Sequence, residues 1–105
     1  MANKYRAIKT VKDGITFDSK REAARYEDLK LLERAGEITD LTLQPKFPIM
    51  INGKEVFEYR ADFQYEKDGE RIIEDVKSAM TRKLPVYRIK KKCVEAYYGV
   101  EIQEV

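Results

Sequence analysis

The chain has 105 residues, with 21 Lys and Arg against 19 Asp and Glu, one Cys and no His, for a formal net charge of +2. That length holds a single domain over residues 1–105 and lies at the short end for an independent enzyme, so a homodimer is one way for it to gain buried area. Without His there is no Ser-His-Asp or Cys-His nucleophile system and no imidazole-ligated metal, and Cys93 alone can form neither an internal disulfide nor a Cys/His zinc site.

What remains is carboxylate and lysine chemistry, with no organic cofactor implied. No apolar run approaches membrane-spanning length, and the opening residues lack the charged-then-apolar layout of a signal peptide, so a soluble cytoplasmic protein is expected. The modest net charge conceals a segregation along the chain. Residues 55–75 hold eight acids against three bases, whereas residues 76–94 hold seven Lys or Arg and no acid. A carboxylate-rich stretch suits a hard cation, and its basic neighbour suits a polyanion or simply a solvated helix face.

Taken in chain order, residues 5–17 carry a Lys12-Asp13-Gly14 turn signal between short apolar runs and read as a hairpin or strand extension. Ser19 followed by Glu22 is a capping-box pattern and Gly36 a stop, which predicts a helix over residues 20–35. At about 100° per residue its inner face holds Tyr26, Leu29 and Leu32, and Glu22 falls on that same face. Residues 41–51 are extended but interrupted by Pro45 and Pro48, and Asn52-Gly53 then turns the chain back. Phe57, Tyr59, Ala61, Phe63 and Tyr65 alternate with polar residues as in one regular strand, which puts Asp62 on its polar face.

The Lys67-Asp68-Gly69 turn leads to a third strand, residues 71–77, in which Asp75 and Lys77 share a face by period two. Pro85 and Gly99 bracket a second helix over residues 85–98. Its predicted apolar stripe is Val86, Ile89, Cys93 and Tyr97, with Lys90 inside that stripe and Arg88, Lys91 and Lys92 opposite. Residues 100–105 read as a last strand. From the first helix onward the order is α-β-β-β-α-β, an α/β fold with a mixed sheet flanked by helices.

Pairing the two strands joined by Asp68-Gly69 brings Asp62 to within about 5 Å of the Asp75 and Lys77 backbone, so that two carboxylates and an ammonium converge. Hydrolysis of a phosphodiester uses a hard cation to neutralise developing charge and supply hydroxide, and carboxylates are the ligands Mg²⁺ prefers. Lys77 would orient or deprotonate the attacking water, or stabilise the pentavalent phosphorus. Singly, each residue has an ordinary account: Asp62 as a strand polar group, Asp75 with Lys77 as a surface pair, Glu22 as a cap and Lys90 as a snorkelling lysine.

Tyr59-Arg60-Ala61-Asp62-Phe63 followed by Ile72-Ile73-Glu74-Asp75-Val76-Lys77, within this order of elements, resembles the PD-(D/E)XK nuclease superfamily, which includes restriction enzymes and phage Holliday-junction resolvases. Phe17-Asp18-Ser19-Lys20-Arg21-Glu22-Ala23, Gln44-Pro45 and Tyr87-Arg88-Ile89-Lys90-Lys91-Lys92 are similar, more narrowly, to a family of small phage and prophage nuclease-like proteins, over nearly the whole chain. Ala61 stands where the signature has proline, and Asp75 is the less common acid at its position.

The resemblance implies a restriction-endonuclease-like core and a Mg²⁺- or Mn²⁺-dependent DNA endonuclease, acting on branched or duplex DNA in a bacterial host. It implies Asp62, Asp75 and Lys77 as catalytic residues, Glu22 as a further acid in the metal shell, the Val76 carbonyl as a ligand, and Gln44 and Lys90 as accessory groups. Arg82, Lys83, Arg88, Lys91 and Lys92 are the expected phosphate contacts. Two alternatives stand beside it: a DNA-binding module of the same fold without turnover, and a phage replication or packaging accessory protein.

Overall fold

A computed structural model describes residues 8–105. The start of the expected N-terminal hairpin, at residues 5–7, lies outside the described residues. The remainder of it forms as expected: β1 (Thr10–Lys12) pairs antiparallel with β2 (Ile15–Phe17) across Asp13 and Gly14. The helix α1 (Lys20–Arg34) starts at Ser19, whose Oγ accepts the Glu22 amide at 3.1 Å. Its buried side is Glu22, Ala23, Tyr26 and Leu29. Leu32, expected on that side, lies at its margin and is 37% exposed, because the packing ends one turn earlier.

The remaining strands are β3 (Thr39–Leu43), β4 (Lys46–Ile51), β5 (Lys54–Arg60), β6 (Phe63–Lys67), β7 (Glu70–Asp75) and β8 (Ile102–Glu104). They are joined to the helices α2 (Ala79–Arg82) and α3 (Pro85–Tyr98). One sheet runs in the order β3-β6-β7-β8, antiparallel except for the parallel β7–β8 pair, and β4 and β5 form a separate two-stranded sheet. The architecture is therefore the expected α/β one, a mixed sheet flanked by helices with an N-terminal hairpin.

Two long strands of the sequence reading are each broken. Residues 41–51 part at Gln44, whose φ of 52° turns the chain out of the extended region. Residues 57–65 part opposite that point, at Ala61 and Asp62. The Gln44 amide donates to the Asp62 carbonyl at 3.0 Å and the Ala61 amide to the Pro45 carbonyl at 3.1 Å, so both chains bend together. The bend sends the alternating apolar residues to opposite layers. Phe63 and Tyr65 join Phe17, Ala23, Tyr26, Leu29 and Ile38 on the α1 side. Tyr59 and Ala61 join Phe47, Ile49, Ile73, Val94 and Ile102 on the α3 side.

The helix α3 has the expected span, and Gly99 ends it at φ 66°, but its rotation differs from the predicted stripe. Val86 and Ile89 are more than 60% exposed, Tyr97 is exposed as well, and Val94 is the buried residue. Aromatic residues with polar tips hold this face down: the Tyr87 hydroxyl donates to Glu104 Oε2 at 2.6 Å, and the Tyr98 ring meets Phe47 edge-on at 5.3 Å. Short α2, capped by Ser78 through the Thr81 amide, is an element the pattern reading lacked. Among the described residues no helix is long and apolar enough to cross a membrane.

Candidate active site

Asp68 and Gly69 both take positive φ, at 52° and 78°, the two-residue hairpin turn that fixes the β6–β7 register with Phe63 opposite Glu74. One step beyond that register, Asp62 faces Asp75. The Asp62 amide donates to the Glu74 carbonyl at 3.1 Å and to Asp75 Oδ1 at 3.0 Å. Asp62 Oδ2 in turn accepts the Val76 amide at 2.8 Å. The second oxygen of Asp75 accepts the Tyr59 hydroxyl, and the side chain is fully buried.

Burial raises the Asp75 carboxyl to about 6, against the opposing pull of Lys77 and the Asp62 amide. Asp62 is also raised, chiefly by burial, with the Val76 amide and Lys77 working the other way. Both acids are thus easier to keep ionised with a cation nearby.

A cleft of about 620 Å³ opens between the start of α1 and the end of β7. Asp18, Glu22 and Asp62 line it with the cations Lys9, Arg21 and Lys77, and Ser19, Val76, Ser78 and Thr81 complete its wall. Glu22 is 5% exposed on the inner side of α1. Burial first, then the negative charges of Asp62 and Asp18, push its carboxyl up to about 7; the Asp18 amide and Lys77 oppose them. Lys77 also lies with Nζ 5.0 Å from the centre of the Tyr87 ring, which ties the end of β7 to α3.

The structure therefore brings Glu22, Asp62, Val76 and Lys77 to one cleft and sets Asp75 behind it, outside the lining residues. Among the described residues no three His, Cys, Asp or Glu side chains form a ready metal cluster. Mg²⁺ does not need one, since it keeps several waters and is held by one or two carboxylates. The oxygen-only donor set of Glu22 and Asp62, each carrying a raised carboxyl, fits such a cation.

Gln44 lies outside this cleft: its backbone serves the bend and its side chain is exposed. Lys90 is also remote, with Nζ 5.5 Å from the centre of the Phe57 ring. Lys91, expected on the outer face of α3, turns inward toward Glu104 Oε1 at 3.8 Å. Arg82, Lys83, Arg88 and Lys92 are exposed as expected.

Pattern reading missed the network that backs the site. Glu74 is buried on the face of β7 opposite Asp75 and accepts Arg25 Nε at 2.8 Å and Nη2 at 2.6 Å, together with the Tyr65 hydroxyl. The signal was present: alternation turns Glu74 into the α1 layer, and a buried acid there requires a partner. Strand alternation marks Tyr59 as an apolar position and carries no sign that its hydroxyl donates to Asp75.

A family model described as "Protein of unknown function (DUF1064)" matches residues 2–104. Neither the curated proteins nor the solved structures compared with the chain contain a match.

Proposed function

We propose that this chain, which belongs to the DUF1064 family, is a metal-dependent DNA endonuclease of the PD-(D/E)XK type. The observation that carries this reading is the meeting of Glu22, Asp62 and Lys77 in one cleft, with Asp75 locked to the Asp62 backbone directly behind. The sheet order, with a parallel β8 beside β7, supports the same resemblance.

Glu22 and Asp62 would hold Mg²⁺ or Mn²⁺ together with the Val76 carbonyl, while Asp75, whose two oxygens accept the Tyr59 hydroxyl and the Asp62 amide, would hold Asp62 in place from behind. Bound there, the cation would lower the pKa of a water and neutralise charge on the phosphate. Lys77 donates to the water or to the developing oxyanion, and its contact with the Tyr87 ring restricts where its ammonium can stand. Exposed Arg82, Lys83, Arg88 and Lys92 hold phosphates of duplex or branched DNA, in keeping with phage DNA processing in the cytoplasm of a bacterial host. One observation favours a DNA-binding module without turnover: both oxygens of Asp75 already accept hydrogen bonds.

Incubating the protein with linear duplex, flap and four-way-junction DNA in Mg²⁺, Mn²⁺ or EDTA decides between them. Cleavage in either metal and none in EDTA is the expected result. Binding without cleavage under all three conditions leaves only the binding module.

A further inference from the structure

We propose a second phosphate-holding site on the α1 side of the cleft, made by Arg21 and Lys9, that grips the DNA backbone beside the bond to be cut. It rests on the nuclease reading above and adds a part of the footprint that the basic α2–α3 segment cannot supply.

Asp18, Glu22 and Asp62 make one wall of the cleft acidic, and an anionic phosphodiester enters such a place only where cations offset the repulsion. Lys77 is engaged in the chemistry and with Tyr87. Arg21 and Lys9 line the same cleft and have no part in that chemistry.

Arg21 is well placed to hold a phosphate. It precedes Glu22 in the first turn of α1, so whatever it grips lies close to the metal-side acid. Its Nη1 donates to the Lys77 carbonyl at 3.3 Å, which spans the mouth of the cleft from α1 to the end of β7 and limits the side chain's freedom. A guanidinium has five N–H donors in a planar fork that matches phosphate oxygens, so one anchoring bond leaves most of them for a ligand.

The Ser78 and Thr81 hydroxyls, 2.9 Å apart, line the same cleft. A strand entering the cleft thus meets Lys9 and Arg21 among its lining residues, and the exposed Arg82 and Lys83 follow directly on Thr81 of its wall. Without Lys9 and Arg21, the cleft lining among the described residues would keep Lys77 as its one cation beside Asp18, Glu22 and Asp62.

The test uses the full chain and its Arg21→Gln, Lys9→Gln and double variants, with melting temperatures recorded to verify folding. DNA affinity is read by fluorescence anisotropy in EDTA across a range of salt, and KM by cleavage in Mg²⁺. The expected results are a KM about tenfold higher for Arg21→Gln, the size of one lost charge-assisted hydrogen bond, and a salt slope shallower by about one for each cation removed. A neutral methylphosphonate at the linkage flanking the cut should weaken binding to the parent and add little to the loss in Arg21→Gln.

A double variant that keeps both the parental slope and KM overturns this site and leaves the nuclease reading standing. A parent that binds DNA but never cuts it overturns the nuclease reading, and the slope still decides the phosphate site. A parent that binds no DNA overturns both.

Discussion

Asp75 Oδ1 accepts the backbone amide of Asp62 at 3.0 Å, so the second acid of the site holds the first by its main chain. Its other oxygen depends on the Tyr59 hydroxyl. Tyr59→Phe should therefore destabilise the fold by about 1–3 kcal/mol, the cost of a buried group losing its partner. Asp75 titrates at about 6, and a hydrogen bond to a carboxylate is stronger than one to the neutral acid. Urea unfolding should thus show a larger loss at pH 8 than at pH 5, and an equal loss at both would detach Tyr59 from the ionised form.

Lys77→Ala should abolish cleavage and leave DNA affinity within a few-fold of the parent, because one cation among many contributes little to total phosphate neutralisation. Single-turnover cleavage and anisotropy on the same DNA separate the two quantities. A parental cleavage rate would remove Lys77 from the mechanism.

Glu22→Gln separates a helix cap from a metal ligand. The side-chain cap of α1 comes from Ser19, which this substitution leaves in place. Burial and the charges of Asp62 and Asp18 act against the Glu22 carboxylate, so an uncharged amide should melt at or above the parental temperature at pH 7.5. The same change withdraws a negative ligand, and cleavage should fall by at least about tenfold or require much more Mg²⁺. Parental cleavage at limiting Mg²⁺ would reduce Glu22 to a structural residue.

Stability without metal should decline as pH rises. Glu22 at about 7 and Asp75 at about 6 lie above their ordinary values of 4.5 and 3.8, so the native state keeps protons that the unfolded chain has shed between about 4 and 7. Stability is then greatest at the acid end of that window and is lost as pH climbs through the folded values. In EDTA the Tm at pH 5.5 should exceed that at pH 7.5, and Mg²⁺ should raise Tm more at the higher pH. A metal-free Tm that increases from pH 5.5 to 7.5 would contradict the charge strain described for the cleft.

Reversing the exposed charges of Arg82, Lys83, Arg88 and Lys92 together should weaken binding to all DNA sequences alike and flatten its salt dependence. Lys91 belongs to a different class because it approaches Glu104. Its reversal should register in thermal melting as well as in affinity. Retained affinity and slope in the fourfold variant would place the DNA on another surface.

Much of this arrangement was legible because it rests on short-range rules. Period two and the Asp68-Gly69 turn together place Asp62 opposite Asp75, and angular position on α1 places Glu22 inward. What escaped depends on tertiary partners. No local pattern says that Gln44 and Ala61 bend side by side, yet this bend moves Tyr59 and Phe63 into different layers. The rotation of α3 departs from its apolar stripe for a related reason. Val, Ile and Cys define the stripe on a hydropathy count, whereas Tyr87 and Tyr98 anchor the helix through rings and hydroxyls together. Arg25 and Glu74 are charged, so a search for apolar core residues passes over the pair that joins α1 to β7.

The β6–β7 hairpin also implies an order of assembly. Its two strands are joined by a tight turn, so Asp62 and Asp75 can meet after closing a loop of few residues at small entropic cost. Glu22 must be brought from 40 residues earlier in the chain, and β8 reaches β7 only after α2 and α3 have been traversed. Such distant pairings close slowly. Asp62 and Asp75 would therefore be in register while the cleft was still open on its α1 side, and on the proposed reading docking of α1 would be the step that brings in the second metal-holding acid. During refolding, cation uptake should lag behind formation of the hairpin.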